Sequence, residues 1–138
     1  FLHATYLSYL DKDALLYETD LKEDNRGSFV ELMKSKTFGQ VSISRSRKGV
    51  IRGNHYHNTK NEKFYVIQGE AVIKLRNILD DKIISYYVSG EKIEMVDIPP
   101  GYTHSIENLT KANGEMILLI WANEIFDPEN PDTYYCEV

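Results

Sequence analysis

The sequence predicts an all-β domain, an antiparallel barrel or sandwich, with a short helical arm at its N-terminus. Three observations carry this. Short runs rich in Val, Ile, Tyr and Phe fall near residues 28–34, 37–46, 63–68, 70–77, 82–88, 93–98, 103–108 and 115–122. Turn residues punctuate them at Gly49, Gly53, Gly69, Asp80-Asp81, Gly90, Pro99-Pro100-Gly101 and Gly114. The apolar period also changes, from helix-like before Gly27 to two after it.

Leu2, Tyr6, Tyr9, Leu10 and Leu16 recur at helical spacing, so residues 2–16 read as a short helix or docking arm. The charged stretch Asp20–Arg26 ends it, and Gly27 turns the chain into the first strand. Alternation shows at Val41 and Ile43 and again at Ile93 and Met95, whereas Met116–Trp121 is apolar throughout, as for a strand covered on both faces. No interior linker interrupts the pattern. The expected division is an arm or linker at 1–23, attached to a preceding domain, and one barrel domain at 24–138.

Composition narrows the classes. The chain has 138 residues, of which 42% are hydrophobic, enough for one buried core. No apolar run approaches the roughly 20 residues of a membrane helix. The opening segment begins at Phe1, carries charges and lacks a cleavage pattern, which fits a piece of a longer protein and not a signal peptide. A net charge of −5 disfavours nucleic acid as a partner, although Arg45, Arg47, Lys48 and Arg52 form a local basic cluster. Cys136 is the only cysteine, so no intrachain disulfide forms, and a reducing, cytoplasmic compartment is expected.

Metal chemistry is concentrated in four residues. His55 and His57, two apart on a strand, project to one face. Glu62 follows after the loop 58–61, and His104 lies just past the Pro99-Pro100-Gly101 turn. Three imidazoles and a carboxylate suit a divalent transition metal. A histidine pair alone is more often incidental, and His3, outside the pattern, reads as incidental.

The spacing Gly49, five residues, His55-x-His57, four residues, Glu62, six residues, Gly69 resembles the first motif of the cupin family. Pro99-x-Gly101, two residues, His104, three residues, Asn108 resembles the second, with Ile93 where a glycine is expected. The resemblance implies a double-stranded β-helix, or jelly-roll, barrel. A fold of this kind hosts many chemistries.

Further residues narrow the function. Asp24-Asn25-Arg26-Gly27-Ser28-Phe29-Val30-Glu31, Phe38-Gly39-Gln40 and Ser44–Tyr56 resemble the dTDP-4-keto-6-deoxyglucose 3,5-epimerase family. That resemblance implies nucleotide and diphosphate contacts from Arg26, Phe29, Glu31, Gln40 and Arg52, and a catalytic base at His55. The chain departs from that family, which is not metal-dependent, at His57, where it has glutamine, and lacks its acid tyrosine after His104. The tail Trp121–Pro128 with Pro131–Tyr135, and the opening Thr5–Leu10, resemble the C-terminal part of bifunctional enzymes of bacterial capsular polysaccharide synthesis. This second resemblance implies zinc, a homodimer, and a preceding short-chain reductase domain that holds NADPH. It also implies C3 epimerisation of a UDP-2-acetamido-2,6-dideoxy-hexos-4-ulose, the UDP-keto-sugar substrate.

Epimerisation beside a ketone needs a base and a stabiliser for the enolate oxygen. Zinc is catalytic in one version, with Tyr102, Lys63 or Glu107 as base, and structural in the other, with His55 as base. A three-histidine, one-glutamate site also suits an iron dioxygenase, which has no use for the Arg26–Glu31 motif. A non-catalytic sugar-nucleotide-binding or dimerisation module would keep the arginines and need no base. In the epimerase reading the strand Arg26–Glu31 is expected to complete a neighbouring subunit's site.

Overall fold

The computed structural model describes residues 2–138. A seven-residue helix α1 (Leu2–Ser8) and a 3-10 turn (Lys12–Leu15) precede the strands β1 (Lys22–Asp24), β2 (Gly27–Ser35), β3 (Gly39–Ser46), β4 (Ile51–Tyr56), β5 (Glu62–Gln68), β6 (Glu70–Asn77), β7 (Ile83–Ser89), β8 (Met95–Ile98), β9 (Tyr102–Asn108), β10 (Met116–Ala122) and β11 (Tyr134–Tyr135). They form two antiparallel sheets, ordered β1-β2-β3-β10-β5-β8 and β11-β4-β9-β6-β7. From β3 to β10 the chain passes back and forth between the sheets, which is the jelly-roll path of a cupin barrel.

The helix is shorter than the apolar spacing over 2–16 predicts, and none of its residues is buried. Tyr9 and Leu16 are 85% and 88% exposed, so the arm's apolar residues find no cover within this chain. No helix among the described residues is long and apolar enough to cross a membrane.

Phe64 and Val66 of β5, Ile73 and Leu75 of β6, Ile98 of β8, Ile106 of β9 and Met116 and Leu118 of β10 form one apolar core. Each such side chain taken from water contributes roughly 1.5–3 kcal/mol. Beside this core the barrel is polar, and β3 shows why. Gln40, Ser42, Ser44 and Ser46 are buried, while Val41 and Ile43 turn to the half-covered outer face. The alternation read from Val41 and Ile43 is genuine, but its inward phase is the polar one. At β8 the inward phase is apolar but shifted by one residue: Val96 and Ile98 point inward, Met95 is half exposed, and Ile93, 86% exposed, precedes the strand. Nor is β10 covered on both faces: Met116, Leu118 and Ala122 are buried, and the residues between them are half-buried.

Register aligns the inner face into rows. Phe29 pairs with Ser44, Ser44 with Leu118 and Leu118 with Val66. Glu31, Ser42, Ile120 and Phe64 form the next row, and Gln40, Ala122 and Glu62 the one after it. Carboxylates, hydroxyls and an amide thus lie one strand spacing from the apolar core. β2 reaches these rows by pairing with β3 of its own chain. Arg26, Phe29 and Glu31 of this strand border the chain's own cavity.

Candidate metal centre and its cavity

The centre depends on an irregularity in β4. Against β9, Arg52 pairs with Ile106, Gly53 with Ser105 and His55 with His104, so Asn54 is an extra residue. Gly53 (φ 99) and Asn54 (φ 56) both take positive φ, which glycine and asparagine tolerate best. A Cβ on Gly53 would lie 2.5 Å from the His104 carbonyl oxygen, so the position takes glycine alone. Because of the bulge, Arg52 and His55, three apart, share the inner face. His57 follows just beyond the strand, where its carbonyl accepts from the Gly101 amide at 2.8 Å.

His55, His57, Glu62 and His104 bring one ligand atom each within 4.8 Å of one another. Glu62 Oε2 lies 3.4 Å from His57 Nε2 and 3.2 Å from His104 Nε2. The other ring nitrogens are anchored: His57 Nδ1 donates to the Asp132 carbonyl at 2.6 Å, and His104 Nδ1 faces the Tyr102 carbonyl at 3.4 Å. These bonds turn the unprotonated Nε2 atoms toward the carboxylate. His57 Nε2 and Glu62 Oε2 are buried without a hydrogen-bond partner. Orphaned acceptors converging on one point fit a divalent cation.

Electrostatics agree with that fit. Burial, with His104 and His57 close by, pushes His55 down to about 4, so its ring is neutral at physiological pH. Burial would raise the Glu62 carboxyl, but His104 and His57 more than offset it and hold it below the usual carboxylate range. A neutral His55 and an ionised Glu62 are in the forms that bind metal. Three imidazoles and one carboxylate, with no thiolate, suit a divalent transition metal.

The cavity has two lobes that share Phe29, His55, Glu62 and Ile120. In one, of about 310 Å³, Arg26 and Arg52 line the wall beside His104. Arg52 Nε donates to Ser46 Oγ at 3.0 Å, and burial and the neighbouring Arg26 charge push its guanidinium downward. Arg26 is ion-paired at 2.6 Å with Asp24, whose carboxyl it holds at about 2. The other lobe, of about 290 Å³, is lined by Glu31, Gln40, Ser42, His57, Lys60 and Glu124, among others. Gln40 is fixed by Ser42 and by the Phe126 amide, both at 3.1 Å.

All five expected substrate contacts therefore border the cavity. Three of the four residues named for catalysis do not. Lys63 alternates with Glu62 along β5, faces outward and pairs with Asp97. Tyr102 packs half-buried against the apolar core and borders neither lobe. Glu107 falls on the face of β9 opposite His104. Two residues unforeseen in the sequence are present instead, Asp132 and Lys60. The Asp132 carboxylate accepts from the amides of Asn58, Thr59 and Lys60 at 2.9–3.0 Å, tying the C-terminal segment to the loop between β4 and β5.

Fold and site define a cupin barrel with a three-histidine, one-carboxylate centre beside a cavity walled by arginines. The chain belongs to the family of the polysaccharide biosynthesis C-terminal domain, whose model matches residues 22–134. It is 47% identical over 137 residues to the UDP-2-acetamido-2,6-beta-L-arabino-hexul-4-ose reductase of Pseudomonas aeruginosa, covering 99% of this chain and 36% of that protein. It superposes on the crystal structure of the capsular polysaccharide assembling protein CapF from Staphylococcus aureus with a TM-score of 0.94 and 52% identity, over 99% of this chain and 39% of that one. The dTDP-6-deoxy-D-glucose-3,5-epimerase RmlC of Legionella pneumophila, solved with dTDP-4-keto-L-rhamnose, matches at 26% identity and a TM-score of 0.58, over 81% of this chain and 67% of that one. The chain thus spans well under half the length of the first two relatives.

Proposed function

We propose that this barrel epimerises C3 of a UDP-2-acetamido-2,6-dideoxy-hexos-4-ulose in capsular polysaccharide synthesis. An NADPH-dependent reductase domain elsewhere in the full-length protein then reduces the C4 ketone. The observation that carries the reading is the joining of a neutral, cavity-facing His55 to an arginine-walled lobe across shared residues. The likeness to a sugar-nucleotide 3,5-epimerase supports it, as does that to a reductase of a UDP-hexulose.

In this reading Arg52 and Arg26 bind the diphosphate, since planar guanidinium groups give paired, always-charged contacts to phosphate oxygens. Phe29, shared by the lobes, offers its ring to the nucleotide, with Glu31 and Gln40 as polar partners. His55 accepts the C3 proton, whose bonding pair becomes the C3=C4 double bond of an enolate; water then supplies a proton to the opposite face of C3, and His55 gives up its proton to the hydroxide so formed. His57, Glu62 and His104 would hold zinc, with His55 beside them in the same cluster. Zinc there would supply Lewis-acid polarisation of a carbonyl, worth several kcal/mol. The His57 and His104 rings approach the Glu62 carboxylate at 3.4 and 3.2 Å while His55 stands further off, which favours its role as the proton carrier.

Deuterium entry at C3 of the keto-sugar in heavy water, without NADPH, tests the proposal. A wild-type barrel that binds UDP and exchanges nothing would leave it a binding module.

A further inference from the structure

His55 is held between two strands. On one side it pairs with His104 of β9, which is itself paired along its whole length with β6; on the other it pairs with Tyr135 of β11. β11 is only two residues long and Tyr135 is mostly exposed, so strand pairing alone holds that side weakly. The bulge in β4 makes the weak side matter. Its extra residue, Asn54, is left out of the ladder with β9, and its polar groups need partners from elsewhere. The tail supplies them. The Asn54 carbonyl accepts from the Cys136 amide at 2.9 Å, and Asn54 Oδ1 accepts from the Val138 amide at 3.4 Å.

Two side chains outside the cavity hold the tail in that position. Arg76 of β6 and Thr103 of β9 are partners in register, and neither borders a lobe. Arg76 Nη2 donates to the Glu137 carbonyl at 2.6 Å and lies 3.5 Å from Cys136 Sγ, while Nη1 donates to the Asp80 carbonyl at 3.2 Å. No carboxylate among the described residues stands within ion-pair distance of Arg76, so its charge is directed to main-chain carbonyls. Thr103, fully buried, donates its hydroxyl to the Cys136 carbonyl. We infer that Arg76 is a positioning residue for the metal centre, an inference that rests on the metal reading of the four-residue cluster. Arg76 clasps residues 136–138 along β4, and the clasped tail fixes the bulge that sets His55 beside His57, Glu62 and His104. The contacts run from Arg76 to the Glu137 carbonyl, through the Cys136 amide to Asn54, and from Asn54 to the next residue, His55. Arg76 touches no ligand atom and moves no proton. Asp132 ties the same tail at its other end to the loop after His57, so the two ties act on different histidines.

The test compares Arg76→Ala and Arg76→Lys with wild type in the full-length protein. Chelator competition reads zinc affinity, the visible spectrum of the cobalt-substituted protein reads ligand geometry, and amide hydrogen exchange reads the metal-free state. Arg76→Ala should weaken zinc binding about tenfold or more, as loss of an outer partner does at a metal site, and should change the cobalt ligand-field bands. Without metal, the amides of β4 should exchange about tenfold faster, while those of β5 and β10 in the core keep their rates. Arg76→Lys, which keeps a charged donor, should recover part of each effect. Zinc affinity within about threefold of wild type, or an unchanged cobalt spectrum, would overturn the assignment. Faster exchange through β5 and β10 as well would also overturn it, since that marks a general loss of stability. If wild type takes up neither zinc nor cobalt, the metal reading fails, and the assignment then stands or falls on the β4 amides of the metal-free protein. Should Arg76→Ala not fold, deletion of residues 134–138, which leaves Arg76 on Asp80 and Asp132 on its loop, is held to the same limits.

Discussion

His57 donates from Nδ1 to the main-chain carbonyl of Asp132 at 2.6 Å, although 75 residues separate them. Asp132 itself has φ 43, an unfavourable conformation for a residue other than glycine, asparagine or aspartate. Its carboxylate holds the next three residues after His57 by their amides. One residue of the tail therefore sets both the tautomer of a candidate metal ligand and the path of the loop that carries it. Asp132→Ala should weaken zinc binding by about 10–100-fold, as loss of an outer hydrogen-bond partner does. Chelator competition measures this, and an unchanged affinity would reduce Asp132 to a loop tether.

The same carboxylate predicts a pH dependence. Burial would raise it, but the amides of Thr59, Asn58 and Lys60 and the Thr59 hydroxyl more than offset this and hold it well below the usual carboxylate range. A folded-state value below the unfolded one contributes stability above the unfolded value, roughly pH 3.9, and loses it as pH falls through the folded value. Asp132→Asn should therefore cost most stability at neutral pH. The gap to wild type should stay constant down to about pH 4 and narrow only in stronger acid. Urea unfolding of both metal-free proteins across that range checks the sign. A gap that closes between pH 7 and pH 5 would contradict the low folded value.

Arg52→Ala should weaken UDP binding by about tenfold or more, because a half-buried, charged donor to the phosphate oxygens of the proposed substrate is lost. Its bonds to Ser46 Oγ and the Arg45 carbonyl are single contacts at the barrel wall, so thermal stability should change little. Calorimetry with UDP reads the first effect and thermal unfolding the second. Equal UDP affinity in the variant would make Arg52 a brace for β3.

The homodimer is a proposal that the outer sheet surface makes testable. Ile43, Leu119, Tyr65 and Met95 stand side by side across four strands on the face turned away from the cavity, the first three half-buried, with the buried Val30 beside Ile43. Met95 is half exposed, at 52%. Apolar rows of this kind mark association sites. Light scattering should give twice the chain mass, and Leu119→Glu should give a monomer that retains zinc. A wild-type monomer at micromolar concentration would remove the proposal.

How much of this was legible in the sequence differs by residue. His55, His57, Glu62 and His104 were readable because ligand spacing within two short motifs is local. Most strands were readable too, since Val- and Ile-rich runs between turn residues need little context. The inward phase of β3 was not, because a barrel that encloses a polar ligand reverses the usual rule that apolar residues face in. His55 was read on a strand, but the start of β4 at Ile51 was not, because Gly53-Asn54 reads as a turn; that pair builds the bulge that brings Arg52 and His55 to one face. Lys63 could have been set aside earlier: if Glu62 faces the metal, its neighbour on a strand faces away. Asp132 and Lys60 carry no local signal, since their roles arise from a contact between the tail and a loop more than 70 residues before it.

The last prediction separates the proton carrier from the metal ligands. In heavy water the wild-type barrel with UDP-keto-sugar should exchange the C3 hydrogen without forming alcohol, because enolisation requires no hydride donor. His57→Ala removes a ring that is anchored on Asp132 and aimed at Glu62, so it should lose zinc. His55→Ala removes the ring that stands further from Glu62 than the other two and borders both lobes. It should keep most of its zinc while exchange falls by about 10²–10⁴-fold, the contribution of a positioned general base. Zinc analysis beside exchange kinetics therefore yields a pattern for each arrangement. If His55→Ala loses zinc as completely as His57→Ala does, His55 is a fourth ligand and the base lies elsewhere in the cavity. If His57→Ala folds without zinc and still exchanges, the metal braces the loop between β4 and β5, and the chemistry belongs to His55 and its neighbours alone.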